Sequence, residues 1–458
     1  MSVCRHLDAS ATRKSAKDSA QPGSIGQTVA VAFSGGRDST ALLCATARSA
    51  SALGVRVVAL HVHHGLSAHA DAWLAHCEQF AAKLAVGFAF RRLTTAPSKG
   101  ESVEAWARDA RYRALTEMAL ELDASLVLLG HHAQDQAETF LLQALRGAGV
   151  RGLAAMPRKV RADHLEWARP WLTCSPAAIE TYVSELQLTH IDDDSNLLRR
   201  YARNRLRLDV LPVLEEAFPA FEAQLGQASR WMAQAADLLA EVALADLASI
   251  CQDDGFVLAR WLELSHARRS NALRAWLEHQ TGQSVASNLT ERLMRELQQG
   301  DAGSWQVGDG VVLHRYRGQL RLQRNLGELE QFGGQVVQIP IGQLLEIGVV
   351  RLPMWGGQLH ARPVDQAGVS RTRLSRLSAH TRQGGEQFQA GPNRPARSLK
   401  KAFQSAAVPH WARLAPLFFD DAQLVYVPGL GIDARALAEP ACEQFALEWH
   451  PDVVSKVV

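Results

Sequence analysis

No apolar run in this chain approaches the ~18 residues a membrane-spanning helix requires, which excludes a helical membrane protein. The stretch from Met1 to Gln27 also lacks the apolar segment of a signal peptide, and reads as a disordered leader on a cytoplasmic protein. Cysteine is sparse and scattered. Cys4, Cys44, Cys77, Cys174, Cys251 and Cys442 form no C-x-x-C pair and no cluster, so neither a disulfide framework nor a zinc site is indicated, and small buried hydrophobes are expected instead. A dominant charge is missing too: at a net charge of +2, any nucleic-acid partner must be held by local patches. Lysine supplies only eight of the 49 basic residues, a skew that genome composition can produce, so arginine richness alone implies little. There is no internal repeat, and no G-x-x-x-x-G-K-S/T loop of the Walker type.

What the chain does have is length for two or three domains and an ordered alternation of elements. From Thr28, strands are expected over 28–33, 55–62, 88–93 and 125–130, and helices over 38–50, 71–85, 101–122 and 134–145. That alternation predicts an α/β fold, a doubly wound parallel sheet with helices on both faces. Ligands of such sheets sit beyond the C-terminal strand ends, where Ser34-Gly35-Gly36, His61 to Gly65 and Gly130-His131-His132 fall. After Pro212 the period changes: Phe221, Leu225, Ala228, Met232, Ala235, Leu239 and Val242 recur at helical spacing, with more helix expected over 268–279 and 288–298. From Trp305 the pattern is strand-like. The expected domains are therefore 28–215, a helical 216–303 and a mixed α+β 304–458.

The run VAVAFSGGRDSTALL, Val29 to Leu43, breaks a strand with two glycines and restarts as a helix. Gly35 and Gly36 allow a tight bend with bare N–H groups near a ligand, while the helix opening at Asp38 or Ser39 turns its positive end to the same space. These are the parts of an anion site: Ser34, Gly35, Gly36, Arg37, Asp38 and Ser39 could cradle a phosphate chain without the Walker lysine, with Asp38 available to Mg²⁺. An ordinary strand-turn-helix is the alternative. Placed after the first strand of a parallel sheet, S-G-G-x-D-S resembles the PP-loop of ATP pyrophosphatases, which release pyrophosphate and leave AMP on a substrate oxygen.

Other residues carry chemistry of their own. Asp135 and Glu138, three apart near a helix start, share a face, and His131 lies one turn earlier. Acids decorating a helix N-terminus would look the same. Arg199, Arg203 and Arg207 repeat every four residues after the acidic segment 192–196, as one basic stripe or as a solvated helix face. Arg111 has Glu104 and Asp109 nearby as surface ion-pair partners. His61, His63 and His64 lack the cysteines or the H-E-x-x-H pattern of zinc sites, and strand-end packing is preferred. Between Gly391 and Phe419 there is no acid, while Arg394, Arg397, Lys400, Lys401 and Arg413 are basic and Trp411 is interleaved; RNA backbone and an unstacked base would ask for such a set.

The stretches HVHHGLS, EAWARDARYRAL, GHHAQDQAETFLLQALRGAGVRGLAAM, IDDDSNLLRRYARNRLRLDVLP and RSLKKAFQSAAVPHWARLAPLFFDDAQLVYVPGLGID together resemble the tRNA(Ile)-lysidine synthetase family. The likeness covers nearly everything from Thr28. It implies that ATP adenylates O2 of the wobble cytidine of an isoleucine tRNA with a CAU anticodon, and that the amine of free L-lysine then displaces AMP. It also implies active-site roles for Asp38, His131, Asp135 and Glu138 towards Mg²⁺, ATP or lysine, with Mg²⁺ on Asp38 and Asp135. Arg203 would lie near ATP phosphates or RNA backbone, and Arg111 near the nucleotide or lysine. Arg199, Arg207, Arg394, Arg397, Lys400, Lys401, Trp411 and Arg413 are the expected tRNA contacts. The family commonly has adjacent aspartates where Gln134-Asp135 stands here, and an aspartate in place of His63. A lysine amine titrates near 10.4, so neutralising it at pH 7 takes roughly 4.6 kcal/mol, and a neighbouring carboxylate helps only by accepting the proton during attack.

Three other readings remain at this level. A PP-loop tRNA thiolase would need paired cysteines that are absent, a small-molecule amidating ligase would not need the basic C-terminal stretch, and an RNA-binding protein with an inactive nucleotide fold would not exchange pyrophosphate. A homodimer is compatible with the sequence.

Overall fold

The computed structural model describes residues 27–65, 67–93, 103–162, 164–192, 199–252, 255–300, 302–308, 310–324, 336–440 and 442–451. The leader, apart from Gln27, and most of the acidic segment 192–196 lie outside them. The chain divides into two compact units, Met1–Leu238 and Leu239–Val458.

The first unit is built as the alternation dictates. Strands β1 (Thr28–Ala32), β2 (Arg56–His63), β3 (Gly87–Arg92) and β4 (Ala124–Leu128) alternate with helices α1 (Arg37–Leu53), α2 (Ala70–Lys83), α3 (Val103–Glu121) and α4 (Ala133–Leu145). Alternate strand residues serve opposite faces. Val31, Ala59 and Leu128 pack with Leu42 and Leu43 of α1 and Phe80 of α2, whereas Ala30, Val58 and Val127 pack with Leu115 and Met118 of α3. Both faces are thus covered, as the near-continuous apolar strands require.

The sheet has six strands in the order β3-β2-β1-β4-β6-β5, where β5 is Lys159–Ala162 and β6 is Leu165–Ala168. β1 pairs in parallel with both β2 and β4, and β6 adds in parallel to β4. The edge departs from the expected all-parallel pattern, because β5 returns antiparallel on β6 as a hairpin. Its four residues are mostly exposed, which suits an edge. Strand order reverses between β1 and β4. The carboxyl ends of those two strands therefore flank the topological switch point, where open α/β sheets hold ligands.

The first unit closes with α5 (Val150–Leu153), α6 (Pro176–Glu185), α7 (Ala202–Arg205), a π-helical turn Leu206–Val210 and α8 (Leu211–Ala217). The long amphipathic helix expected from Phe221 is present as α9, Phe221–Ile250, and the division between units falls within it.

The second unit is mixed α+β. Residues after α9 form strands β7 (Cys251–Gln252), β8 (Gly255–Val257), β9 (Ala302–Gly308), β10 (Val311–Tyr316) and β11 (Gln319–Arg324), which make a five-stranded sheet in the order β7-β8-β11-β10-β9, and helices His266–Thr281 and Ser287–Glu296 share one core with it. Phe256, Trp261, Trp276 and Leu293 meet Trp305, Leu313 and Leu320 there, so the strands after Trp305 complete the core of the helices before them. Two antiparallel sheets of five and four strands and a two-stranded ribbon follow. No helix among the described residues is long and apolar enough to cross a membrane.

Candidate active site

The bend after β1 is closed by its own serines. The Ser34 and Ser39 hydroxyls lie 3.0 Å apart, Ser39 Oγ donates to the Gly36 carbonyl at 3.0 Å, and the Gly36 N–H donates to Ser34 Oγ at 3.3 Å. Gly35 adopts φ +86°, and a Cβ there would stand 2.4 Å from Ile191 Cδ1 and 2.8 Å from Cys77 Sγ. Its carbonyl is held by Thr40 Oγ1 at 3.1 Å and by the Ile191 N–H at 2.9 Å. Only glycine satisfies both the angle and the space. No side chain caps the 17-residue α1, so the N–H groups of its first turn are left for an anion over the loop.

The loop after β4 comes against this bend. A Cβ on Gly130 would lie 3.3 Å from the Asp38 carbonyl, which shows how closely the two backbones approach. The following His132 is buried and stands between two carboxylates: its Nε2 lies 3.6 Å from Asp38 Oδ2 and 3.5 Å from Asp135 Oδ2. Asp135 Oδ2 also accepts the His132 backbone N–H at 3.0 Å, fixing the start of α4. Burial disfavours charge on His132, yet the flanking acids outweigh it and raise its pKa above the ordinary 6.5. Burial likewise works against ionising Asp38 and Asp135, but His132 with Arg37 at the first, and His132 with Arg203 at the second, hold both below the ordinary 3.8. The three groups form one carboxylate–imidazole–carboxylate bridge between α1 and α4.

A second network lies one helical turn along α4. The Glu138 side chain is fully buried, and both its oxygens are taken. Arg203 Nε donates to Oε2 at 2.6 Å, Arg207 Nε to Oε1 at 2.8 Å and Arg207 Nη2 to Oε2 at 3.1 Å. The same arginines reach Asp135 Oδ1, at 3.0 Å from Arg203 Nη2 and 3.5 Å from Arg207 Nη2. The π-helical turn explains how one segment does this. In its wider turn Leu206 and Leu211, five apart, share a face and are buried with Ala137 and Phe221, which leaves Arg203 and Arg207 directed at the acids.

The expected basic stripe is accordingly divided. Arg203 and Arg207 are committed to Asp135 and Glu138, while Arg199 lies before α7 and pairs with Asp209 at 2.9 Å. His131 is neutral at pH 7, because burial pushes its pKa far down despite Asp135, and its Nδ1 is shut from solvent without a protein partner. Arg111 on α3 is exposed beside the Tyr112 ring, and after burial its charge is the next cause holding His64 near a pKa of about 4. Arg37 donates to Asp38 Oδ1 at 3.0 Å. At the strand end beside the site, His61 Nδ1 lies 2.9 Å from the Phe33 carbonyl oxygen, and His63 Nε2 lies 3.3 Å from Asp71.

Sequence reasoning did not single out His132 as the bridging group, nor Arg207 as a partner of the carboxylates. The doublet His131-His132 just before a helix carrying Asp135 and Glu138 was the available signal. Gln136 was also passed over. It pins α4 by donating to the Met156 carbonyl at 3.0 Å and to Ser229 Oγ at 2.9 Å, while its own oxygen accepts the Met156 N–H at 3.0 Å.

In the second unit the basic stretch is split by burial. On the short helix Leu399–Ser405, Leu399 and Phe403 are buried one turn apart, which leaves Lys400 and Lys401 exposed; Arg394 and Arg397 are exposed as well. Trp411 and Arg413 are packed instead. The Trp411 ring stacks on His314 at 4.3 Å and meets Tyr316 edge-on at 5.6 Å, while Arg413 Nε and Nη2 donate to the Val408 carbonyl at 2.9 and 2.7 Å.

Comparison with known families gives three matches along the chain. Residues 8–214 match a PP-loop domain, residues 256–321 the TilS substrate binding domain and residues 377–449 the TilS substrate C-terminal domain. The chain is 41% identical over 423 residues to the tRNA(Ile)-lysidine synthase of Ralstonia nicotianae, covering 90% of both proteins. It is 37% identical over 462 residues to that of Burkholderia mallei, covering 93% of this chain and 94% of the relative. Among solved structures, the U34-tRNA thiolase of Methanococcus maripaludis aligns over 50% of this chain and 78% of its own at 12% identity, with a TM-score of 0.44.

Proposed function

Since this chain belongs to the tRNA(Ile)-lysidine synthase family, we propose that it joins free L-lysine to C2 of the wobble cytidine of an isoleucine tRNA with a CAU anticodon. It is a ligase that uses ATP, and the products are lysidine, AMP and pyrophosphate. The observation that carries the assignment within the site is the meeting of the glycine bend after β1 with the His132–Asp135 start of α4 at the switch point. A triphosphate cradled at Ser34 to Ser39 would present its α-phosphorus beside that cluster, where a cytosine oxygen can attack it.

Asp38 and Asp135 fit a magnesium ion. Their Oδ2 atoms converge on a single imidazole nitrogen, and Mg²⁺ is ordinarily held by one or two carboxylates together with substrate phosphates. When bound, it would supply neutralisation of phosphate charge. The chain's own groups do the remainder. The first turn of α1 orients the phosphates, and Arg37 and Arg111 add positive charge around them. His131, neutral at pH 7, is able to exchange a hydrogen bond with a bound substrate at Nδ1. We assign the chemistry to 28–215 and tRNA binding to 216–303 and 304–458, the exposed Arg394, Arg397, Lys400 and Lys401 gripping the backbone. The setting is the cytoplasm, where tRNA, ATP and lysine coexist, and a homodimer is compatible with the reaction.

Incubating the protein with ATP, labelled lysine and total tRNA tests the assignment directly: label should enter a single isoacceptor and AMP should be the spent nucleotide. Label in no tRNA, or ADP as product, refutes it. Asp38→Asn should lower adenylation by at least about 100-fold while sparing tRNA binding; a wild-type rate would remove that carboxylate from the chemistry.

A further inference from the structure

Glu138, one of the acids expected to serve Mg²⁺, ATP or lysine, is closed to a substrate amine in this arrangement. Glu138 has no solvent-accessible side-chain surface, and its two oxygens accept three N–H bonds from Arg203 and Arg207. Asp135 Oδ1 is engaged by the same two guanidinium groups. An ammonium cannot reach Glu138 without displacing at least one arginine. Yet withdrawing an arginine strands a buried carboxylate, which is unfavourable unless another cation replaces it.

Both conditions are met together when an anion and an amine arrive at the site. Guanidinium binds polyphosphate at least as well as carboxylate, being able to pair bidentately with either, and the half-exposed Arg203 and Arg207 lie on a single segment and contact both α4 acids. Resting on the function proposed above, and taking Glu138 and Asp135 Oδ1 as the seat of the lysine ammonium, we propose that Arg203 and Arg207 form a charge gate over Glu138 that couples the two small substrates. Nucleotide draws the arginines towards its phosphates, and the lysine ammonium takes their place on Glu138 and Asp135. Each ligand stabilises the arrangement the other needs, so the coupling is positive and reciprocal. Lysine binding thereby follows nucleotide binding, which keeps a reactive amine away from the site until there is a phosphate to displace. In this account Arg207 is a positioning residue of the site.

The test is calorimetric titration of the full-length protein with L-lysine, alone and with a saturating non-hydrolysable α,β-methylene ATP analogue and Mg²⁺. Lysine affinity should rise by about tenfold or more with the analogue, and lysine should tighten the analogue by the same factor, as linkage demands. In Arg207→Gln, lysine alone should bind more tightly than to the wild type, and the coupling should fall to within about threefold. If that variant fails to fold, the reciprocal titrations on the wild type still decide. Equal lysine affinity with and without the analogue overturns the gate, as does undetectable lysine binding in both conditions while labelled lysine still enters tRNA. Failure of label to enter tRNA at all would instead overturn the function on which the gate rests.

Discussion

Two groups of charged residues in this chain obey opposite physics, one mixed in sign and buried, the other basic and exposed. Around α4, Asp38, His132, Asp135, Glu138, Arg203 and Arg207 satisfy one another, with Glu138 and His132 buried. In the second unit Arg394, Arg397, Lys400 and Lys401 are exposed, and among the described residues none pairs with a carboxylate. A charge withdrawn from water must be compensated within the protein, whereas an exposed one is free to meet a partner's charge. The first group is therefore part of the fold as well as of the site, and substitutions there act on both. The second can be altered with little consequence for folding. Mutations that separate these consequences test the contrast.

The largest effect is expected at Glu138. Glu138→Ala leaves two guanidinium groups without their buried partner, and loss of one member of a buried pair costs about 3–5 kcal/mol. Urea denaturation followed through the first unit should show it; a loss below about 1 kcal/mol would mean that the acid is dispensable to the fold. Gly35→Ala comes next. At φ +86° with Ile191 Cδ1 2.4 Å from the added methyl, strain and overpacking should together remove roughly 1–3 kcal/mol and also weaken nucleotide binding by deforming the bend. Unchanged stability with intact ATP affinity would show that the loop yields more readily than its packing indicates.

A smaller effect, distinguished by its pH dependence, belongs to His132. Its pKa is raised above 6.5 in the folded chain, so the contribution of its charge is whole below pH 6.5 and is lost as pH rises through the raised value. Asp38 and Asp135 run the other way: with pKa values held below 3.8, their contribution is whole above that pH and is lost as pH falls through the depressed values. The stability lost in His132→Gln, measured by thermal unfolding, should be greater at pH 6 than at pH 9. An equal loss at both would mean that the ring's shape, not its charge, holds α1 to α4.

How much of this was legible in the sequence follows from the range over which each feature is encoded. The anion bend and the four βα units are local: glycines, a serine pair and apolar periodicity within a dozen residues specify them, and each strand and helix lies where the pattern placed it, within two or three residues at most boundaries. The β5–β6 hairpin was not foreseen, since its two four-residue strands carry only Val160, Leu165 and Trp167 as apolar markers. The arginine stripe was read with a uniform helical period, which the π-helical turn Leu206–Val210 breaks. Trp411 read as a stacking platform for a base because its neighbours are basic, but its ring meets His314, nearly a hundred residues earlier in the chain. The pairing of Arg203 and Arg207 with Glu138 spans 65 and 69 residues, and no spacing rule reports contacts at that range.

The smallest effect on stability, and the one most diagnostic of the exposed group, is expected for Lys400→Ala with Lys401→Ala. Both side chains are exposed on a helix whose packing is carried by Leu399 and Phe403, so the double variant should stay within about 0.5 kcal/mol of the wild type in urea. tRNA binding should nevertheless weaken, because each phosphate contact releases counterions, and the slope of log affinity against log salt should fall in magnitude by about 2. ATP affinity, set by the bend in the first unit, should not move. A Trp411→Ala variant sharpens the result: truncating a packed ring should cost stability, roughly 2–4 kcal/mol if the stack on His314 behaves as core, without a change in salt slope. If the lysine pair leaves the slope unchanged while the tryptophan variant lowers it, the roles drawn here for exposed and packed residues of the second unit are reversed.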